Sequence, residues 1–520
     1  MMKIRKNNSI ANNFRLIGNE HYKSLEFSKA LLFYNKSLCY AIPSSIEYSL
    51  SFANRSAVYY ETEEYEFCIE NIELAINFGY PKDKIPKLME RHKKCKNLIE
   101  HYNTNLLKNP WNFFKLSHSP NLKIPYIVNC IKLQKSKKFG RHLITIERLK
   151  AGDVIAIEKP FYKYIMNSSR YSHCTNCLKS EKLNLFPCKK CNYTMFCSKE
   201  CLSKGHRFHQ FECDIDIDLE QDSCIFKKNH RVVFEALGIF GRISELQTFL
   251  EENPDKKTIF DFNFSCIKNS DTIDKNLTLA IHSLQKNPLP KELEPLMKEH
   301  CKLMTSITKN QKHKKFLDNF MRQQMKVIIT NSFGLTENEN EIGSGIFPFA
   351  SYFNHSCAPN VGKITVNGHL VFIVLRPIEK NQQLFVCYRQ NFFHCDLQER
   401  QDEILKSYGF VCTCEACEKN YPNIEKLPRY EKTLKISSKN LLSLPTIIEE
   451  YHENCDFINE NSEFYPNYEI CKLITRNHQL LNCLVCITTL CLKPLNIFYL
   501  LNESKLSKYD NKRSVNTSEK

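Results

Sequence analysis

Eight residues between Cys174 and Cys213 are of the types that hold a soft divalent metal: Cys174-x2-Cys177, Cys188-x2-Cys191, Cys197-x3-Cys201 and His209-x3-Cys213. Thiolates and imidazole at such spacings converge on Zn2+, which takes four of them tetrahedrally, so eight ligands make two sites. A segment this short has too little apolar surface to fold without the metal. His173 and His206 stand close enough to substitute, but the His-x3-Cys spacing favours His209. A second thiol group, Cys412, Cys414 and Cys417, supplies three ligands and lacks a fourth. Between the two groups lies Asn354-His355-Ser356-Cys357-Ala358-Pro359-Asn360, and two phenols follow it, Tyr388 and Tyr408.

The chain that must position these residues has 520 of them, 42% hydrophobic and 12% aromatic, enough for several packed domains. Its 25 cysteines follow an N-terminus, Met1 to Ile10, that has no apolar run of the kind a secretory signal carries. A reducing compartment, cytoplasm or nucleus, is therefore expected, where clustered cysteines hold metal more often than they pair. The apolar stretch Leu480 to Leu501 is broken by Asn482, Lys493, Pro494 and Asn496 and falls short of the roughly 20 residues of a membrane span, so it reads as a buried helix. The net charge of +16 is scattered over short runs (Lys93 to Lys96, Lys135 to Arg141, Lys312 to Lys315) and reads as solvated surface. The zinc spacing offers no recognition helix for base edges, and direct nucleic-acid binding is not expected.

At the N-terminal end, Ile17, Gly18, Phe27, Ala30, Tyr34 and Leu38 repeat as Ser56, Tyr59, Tyr65, Cys68, Ile72 and Ala75, with an insertion around Pro43 to Glu47. Small and aromatic residues at these offsets let antiparallel helices approach closely, as in tetratricopeptide repeats. Two repeats are too few to stand alone, so Ile85 to Tyr102 is expected to close the layer. Arg15, Asn19, Asn54, Lys87 and Arg91 resemble the positions with which such repeats grip the acidic C-terminal tails of chaperones.

The heptapeptide 354–360 resembles the signature of SET-domain methyltransferases, and the eight-ligand cluster resembles the MYND finger. Three further segments fall in the order of that family: Lys138-Phe139-Gly140-Arg141-His142 with Ala151-Gly152-Asp153 and Glu158-Lys159-Pro160-Phe161, then Cys387-Tyr388 after a strand over 383–386, then Tyr408-Gly409-Phe410 running into Cys412, Cys414 and Cys417. The chain is thus similar to SET-and-MYND protein-lysine methyltransferases, in the branch with an N-terminal tetratricopeptide-like arm. The resemblance implies S-adenosylmethionine as cofactor and a protein or peptide lysine, histone or non-histone, as substrate. It implies an interleaved finger, with Cys174, Cys177, Cys197 and Cys201 on one zinc and Cys188, Cys191, His209 and Cys213 on the other, and Cys357 as the missing fourth ligand beside Cys412, Cys414 and Cys417, three ions per chain. By the same resemblance Gly140, Arg141 and His142 meet the cofactor, Asn331, Ser351, Asn354 and His355 hold its amino-acid and ribose ends, Phe410 closes over it, and Tyr388, with Tyr408 as second phenol, aims the amine. Methyl transfer demands that amine neutral, although a lysine of pKa about 10.4 is unprotonated only to roughly one part in a few thousand at pH 7.

The expected fold is α+β: a split SET β-fold (125–165 and 334–411) interrupted by the finger (174–213) and a helical insertion (220–333). A tetratricopeptide-like arm (1–105) and a C-terminal helical region (420–501) flank it, with a zinc loop at 412–419 and a polar, disordered tail at 502–520. The helical region is expected to wall the substrate cleft, and a monomer is expected. Three departures bear on activity: His142 in place of a second glycine, Asn381-Gln382-Gln383 in place of an acidic Gly-Glu-Glu, and Arg389 after the tyrosine. They motivate the competing reading, a catalytically weak scaffold that binds proline-containing peptides through the finger and chaperone tails through the arm.

Overall fold

The computed structural model describes residues 6–101, 109–213, 224–254, 257–337, 340–429 and 443–489. The tail expected at 502–520, the half of the Leu480 to Leu501 stretch beyond Thr489, and Tyr102 at the end of the expected closing helix lie outside them.

The arm is built of helices α1 (Asn8–Lys23), α2 (Phe27–Tyr40), α3 (Ile46–Glu61), α4 (Tyr65–Asn77) and α5 (Ile85–His101). Gly18 shows why a small residue recurs here, since a Cβ on it would stand 2.5 Å from the Tyr34 ring. Ala30, Tyr34, Leu38, Phe52, Tyr59, Cys68, Ile72, Leu88 and Cys95 form one core, and Leu183, Leu185, Met195 and Phe196 of the cysteine-rich segment belong to the same core. Arm and cysteine-rich segment are therefore folded against each other.

The SET-like region begins with hairpin β1 (Ile131–Ser136) and β2 (Gly140–Thr145), then β3 (Val154–Glu158) and β4 (Tyr162–Ile165). The cysteine-rich segment contributes the short pair β5 (Phe186–Pro187) and β6 (Met195–Phe196) and helix α6 (Lys199–Glu212). A helical layer follows: α7 (Cys224–Phe240), α8 (Ile243–Glu252), α9 (Ser270–His282), α10 (Glu294–Thr305) and α11 (Gln311–Asn331). The chain then returns to strands with β7 (Ser332–Glu337), β8 (Asn340–Ile346), β9 (Asn354–His355), β10 (Val361–Val366), β11 (His369–Val374) and β12 (Phe385–Val386). Sheets of order β4-β8-β7 and β10-β11-β3 interleave strands from before and after the helical layer, so neither half can form its sheets alone. β9 and β12 pair in parallel, bringing the heptapeptide beside the strand that leads to Tyr388.

Helix α12 (Leu397–Tyr408) ends at Gly409, whose positive φ of 75° turns the chain into the thiol loop and the short α13 (Glu415–Glu418). Helices α14 (Leu444–Glu460) and α15 (Tyr468–Thr489) bury Ile447, Tyr451, Leu480 and Leu484 against Val154, Ile364, Val371 and Ile373 of the β3-β11-β10 sheet. Among the described residues no helix is long and apolar enough to cross a membrane.

Candidate metal centres and active-site cleft

Three groups of ligand atoms converge, each within 4.8 Å: Cys174, Cys177, Cys197 and Cys201; Cys188, Cys191, His209 and Cys213; and Cys357, Cys412, Cys414 and Cys417. Thiolates bound tetrahedrally at about 2.3 Å lie about 3.8 Å apart. The sulfurs of Cys177 and Cys197 are 3.5 Å apart, those of Cys188 and Cys213 3.9 Å, and those of Cys357 and Cys417 3.6 Å, so all three groups fit zinc. Backbone and amide N–H groups already point at the ligands, from Lys190 to Cys188, from Asn176 to Cys201 and from Cys357 to Cys414, which stabilises thiolate charge. His206 is exposed and His173 is taken up by Glu337 at 3.0 Å, so neither replaces His209. Sequence reasoning passed over a fourth group, His118, Cys130 and Glu147, in which Glu147 is exposed and His118 is bonded to Asp153 at 3.1 Å.

A cleft of about 430 Å³ opens among Phe139, Gly140, Arg141, Asn331, Ser351, Asn354, Tyr388, Tyr408 and Phe410, within the size range of cofactor sites. Eight of the expected cofactor and catalytic residues thus meet, although they come from the β1-β2 turn, the end of α11, the segment before β9, the segment after β12 and the end of α12. The far wall is the helical layer, through Leu284, Gln285, Asn287 and Thr330, and none of the described residues of α14 and α15 lines the cleft. The described residues of α14 and α15 pack instead on the β3-β11-β10 sheet and behind Tyr388 and Tyr408.

His142 and His355 do not line the cleft. His142 lies in β2, its ring buried and bonded to the Gly140 carbonyl at 3.0 Å; the left-handed turn falls two residues earlier, at Gly140, with φ of 62°. His355 acts from behind: its Nδ1 accepts the Tyr388 backbone N–H at 3.1 Å, which leaves Nε2 to carry the proton toward Cys357 Sγ at 3.3 Å. One imidazole therefore couples the third thiol group to the position of Tyr388. Asn331 spends both amide hydrogens on the carbonyls of Gln285 and Val327, at 2.8 and 2.9 Å, so it can offer the cleft only an acceptor oxygen. Its amide hydrogens are therefore not available to a cofactor carboxylate. Asn354 donates to the Phe139 carbonyl at 3.1 Å and Ser351 to that of Phe347 at 2.8 Å. Arg141 lies with its guanidinium 5.3 Å from the Tyr352 ring, on the cleft wall.

The Tyr388 hydroxyl donates to the Phe353 carbonyl at 2.6 Å. Its proton is thereby directed away, its lone pairs remain for an incoming N–H, and burial holds its pKa well above that of a free phenol. The Tyr408 ring stands 4.9 Å from it, and the Arg389 guanidinium lies 5.8 Å from the Tyr408 ring. Phe410 is exposed at the mouth, 6.3 Å from the His355 ring.

Beneath the cleft, buried Glu158 accepts the backbone N–H groups of Phe349 and Ala350 at 2.7 and 2.9 Å, fixing the turn that carries Ser351. Nothing in the spacing of Glu158 marked this role.

The family model of the SET domain matches residues 140–389. The chain is 23% identical, over 80% of its own length and 66% of the relative's, to the zebrafish (Danio rerio) protein named protein-lysine N-methyltransferase SMYD4. It is 26% identical to a SET and MYND domain-containing protein of Dictyostelium discoideum, over 69% of this chain and 95% of that one. With mouse (Mus musculus) histone-lysine N-methyltransferase SMYD3 it shares 23% identity over 64% of this chain and 73% of the relative. The chain thus spans just under two thirds of the zebrafish relative's length.

Proposed function

We propose that this chain is a SET-and-MYND protein-lysine methyltransferase, like the relatives it resembles, and that it methylates lysine side chains of a protein substrate, histone or non-histone, in cytoplasm or nucleus. The observation that carries the proposal is the Tyr388 hydroxyl, whose proton is committed to Phe353 and whose lone pairs open on the cleft. SET methyltransferases use S-adenosylmethionine, which supplies an activated methyl group when bound. Arg141 suits its carboxylate; Asn331, restricted to accepting, suits its ammonium; Ser351, Asn354 and the backbone at Gly140 flank the remainder, and Phe410 covers it.

The side chains that remain handle the amine. Tyr388 and Tyr408 line a channel whose aromatic walls disfavour an ammonium, so a lysine sheds its proton to solvent on entry. The Tyr388 oxygen then accepts one amine N–H and orients the nitrogen lone pair. Tyr388 is not the base, because its own proton is held. His355 is a positioning residue, and three zinc ions per chain hold the finger and the loop behind the channel.

A second, binding role rests on the arm. Asn19 accepts the Asn54 amide at 2.7 Å and Arg91 donates to Ser56 at 2.8 Å, so polar groups of α1, α3 and α5 share one face with exposed Lys87. That face suits an acidic chaperone tail, and the assignment of proline-containing peptides to the finger rests on resemblance.

The test is label transfer from S-adenosylmethionine to histones and cell lysate, beside Tyr388→Phe. The variant is expected to lose about 10²–10³-fold in rate, in the range of a positioned catalytic group, with calorimetric cofactor affinity unchanged within about twofold. Cofactor binding by the unaltered protein without transfer to any acceptor would return the chain to the scaffold reading.

A further inference from the structure

Lys363 is a cation in the cleft with nothing to neutralise it. It lies in β10 opposite Phe372 of β11, is partly buried, and reaches the cleft wall shared by Cys387, Tyr388 and Tyr408. Its stem runs beside Tyr451 and His478 of the C-terminal helices. Among the described residues its ammonium makes no ion pair and no hydrogen bond. Burial lowers the pKa of Lys363 itself, and the Cys387 thiol, whose charge would favour the ammonium, is pushed by burial up to about 12, as His478 beside it is pushed down toward the neutral imidazole. An ammonium removed from water without a counter-charge is costly, and a carboxylate brought by a ligand offsets that cost.

The neighbourhood repeats the pattern. Arg389, one residue past Tyr388, is exposed, stacks over Tyr408 and has no acidic partner among the described residues. The stretch before β12, Asn381-Gln382-Gln383, carries no charge at all. The acid whose field reaches Cys387 is Glu403, exposed on α12. The tyrosine side of the cleft is therefore net positive, at the place where a lysine-bearing segment enters. This does not repel the target lysine, which reacts as the neutral amine; a nearby cation favours that form.

We infer that Lys363, assisted by Arg389 at the outer lip, binds side-chain carboxylates flanking the target lysine, so that the protein selects lysines set in acidic sequence. The inference rests on the methyltransferase reading for its meaning but is tested by binding, which does not need turnover.

Fluorescent peptides blocked at both ends, with a central lysine flanked either by Asp and Glu or by Asn and Gln, would be titrated by anisotropy into the full chain saturated with S-adenosylhomocysteine. Unblocked copies separate a terminal carboxylate from side-chain ones. The acidic peptide should bind at least about tenfold more tightly, with the preference shrinking as salt rises. Lys363→Gln should abolish most of the preference, and Arg389→Gln a smaller part. Lys363→Glu should turn it toward peptides flanked by Lys and Arg, which guards against a mere loss of folding; zinc content and melting temperature check each variant. Equal binding of acidic and amide peptides, a preference that survives Lys363→Gln, or one that follows the free terminus alone would overturn the inference. Failure of methyl transfer to any bound peptide would count against the enzymatic reading and leave the binding result intact.

Discussion

The contact between arm and finger and the cleft both bury polar side chains, to opposite ends. At the contact, fully buried Arg55 donates to the carbonyl of Leu185 at 2.6 Å, to Asn35 at 3.0 Å and to Asn184, while Asn184 also receives Asn71 at 2.9 Å and gives to Glu70 at 2.7 Å. Asn35 in turn donates to the carbonyls of Tyr171 and Leu183, both at 2.9 Å. Apart from Arg55 Nε and Asn71 Oδ1, the donors and acceptors are spent on one another, so the network locks two parts of the chain in one relation. In the cleft the reverse holds. Tyr388, Asn331 and Lys363 each keep an atom free of protein partners, and such atoms are useful only to a ligand.

Metal removal tests the comparison most severely. Structural zinc contributes on the order of 10 kcal/mol or more to small thiol-rich segments. Stripping the protein with a strong chelator is expected to unfold the finger, expose the apolar surface it shares with the arm, and release three zinc ions by elemental analysis; a value near one or zero refutes three. Cys357→Ser separates the regions: it should release one ion and, through His355, lower methyl transfer by about 100-fold or more, as expected when a group supporting a reacting residue shifts by about an ångström. Retention of full transfer after loss of that ion would show that the loop does not position Tyr388.

The next effect belongs to the contact alone. Arg55→Met leaves three acceptors facing each other without their donor and is expected to cost about 3–5 kcal/mol. Limited proteolysis should then cut between arm and finger at a rate the unaltered protein does not show, while cofactor affinity stays as it was. A simultaneous fall in cofactor affinity would mean the contact reaches the cleft.

How far each region can be read from sequence follows from chain distance. The finger's ligands sit within short spacings, so residue type and interval suffice; Cys357 lies far from Cys412, and family resemblance, not spacing, put it with that group. The cleft residues also depended on the family's order of segments, and where that order is silent the reading stopped. That the Asn331 amide is captured within the protein was not legible, because the Gln285 carbonyl that takes one of its hydrogens becomes a neighbour only when α11 packs beside the loop after α9. The strand before Tyr388 was drawn from 383; its regular part is Phe385–Val386, while Gln383 makes an isolated bridge to Ile144 of β2 and gives its carbonyl to the Asn360 side chain at 2.9 Å. Arg55 and Asn184 are 129 residues apart and bear no local signal of their meeting. Lys363 reads as an ordinary polar residue alternating along a strand until its lack of any partner is seen.

The smallest expected effect concerns Glu158, which belongs to neither extreme: it is wholly buried, yet answered only by two backbone N–H groups. Burial raises its pKa to about 8, against the two donors that favour the anion. Folding therefore takes up a proton between the pKa of the unfolded chain, about 4.3, and that of the folded one. The corresponding stability is fully present below about pH 4.3 and is lost as pH rises through 8, to the extent of a few kcal/mol at most. Glu158→Gln replaces one acceptor by a donor and should cost about 1–3 kcal/mol at acid pH, but should remove the decline. Melting temperatures measured from pH 5 to 9 should thus converge for the two proteins as pH rises. Parallel curves would show instead that the carboxylate is ionised throughout and that its two N–H partners outweigh its burial.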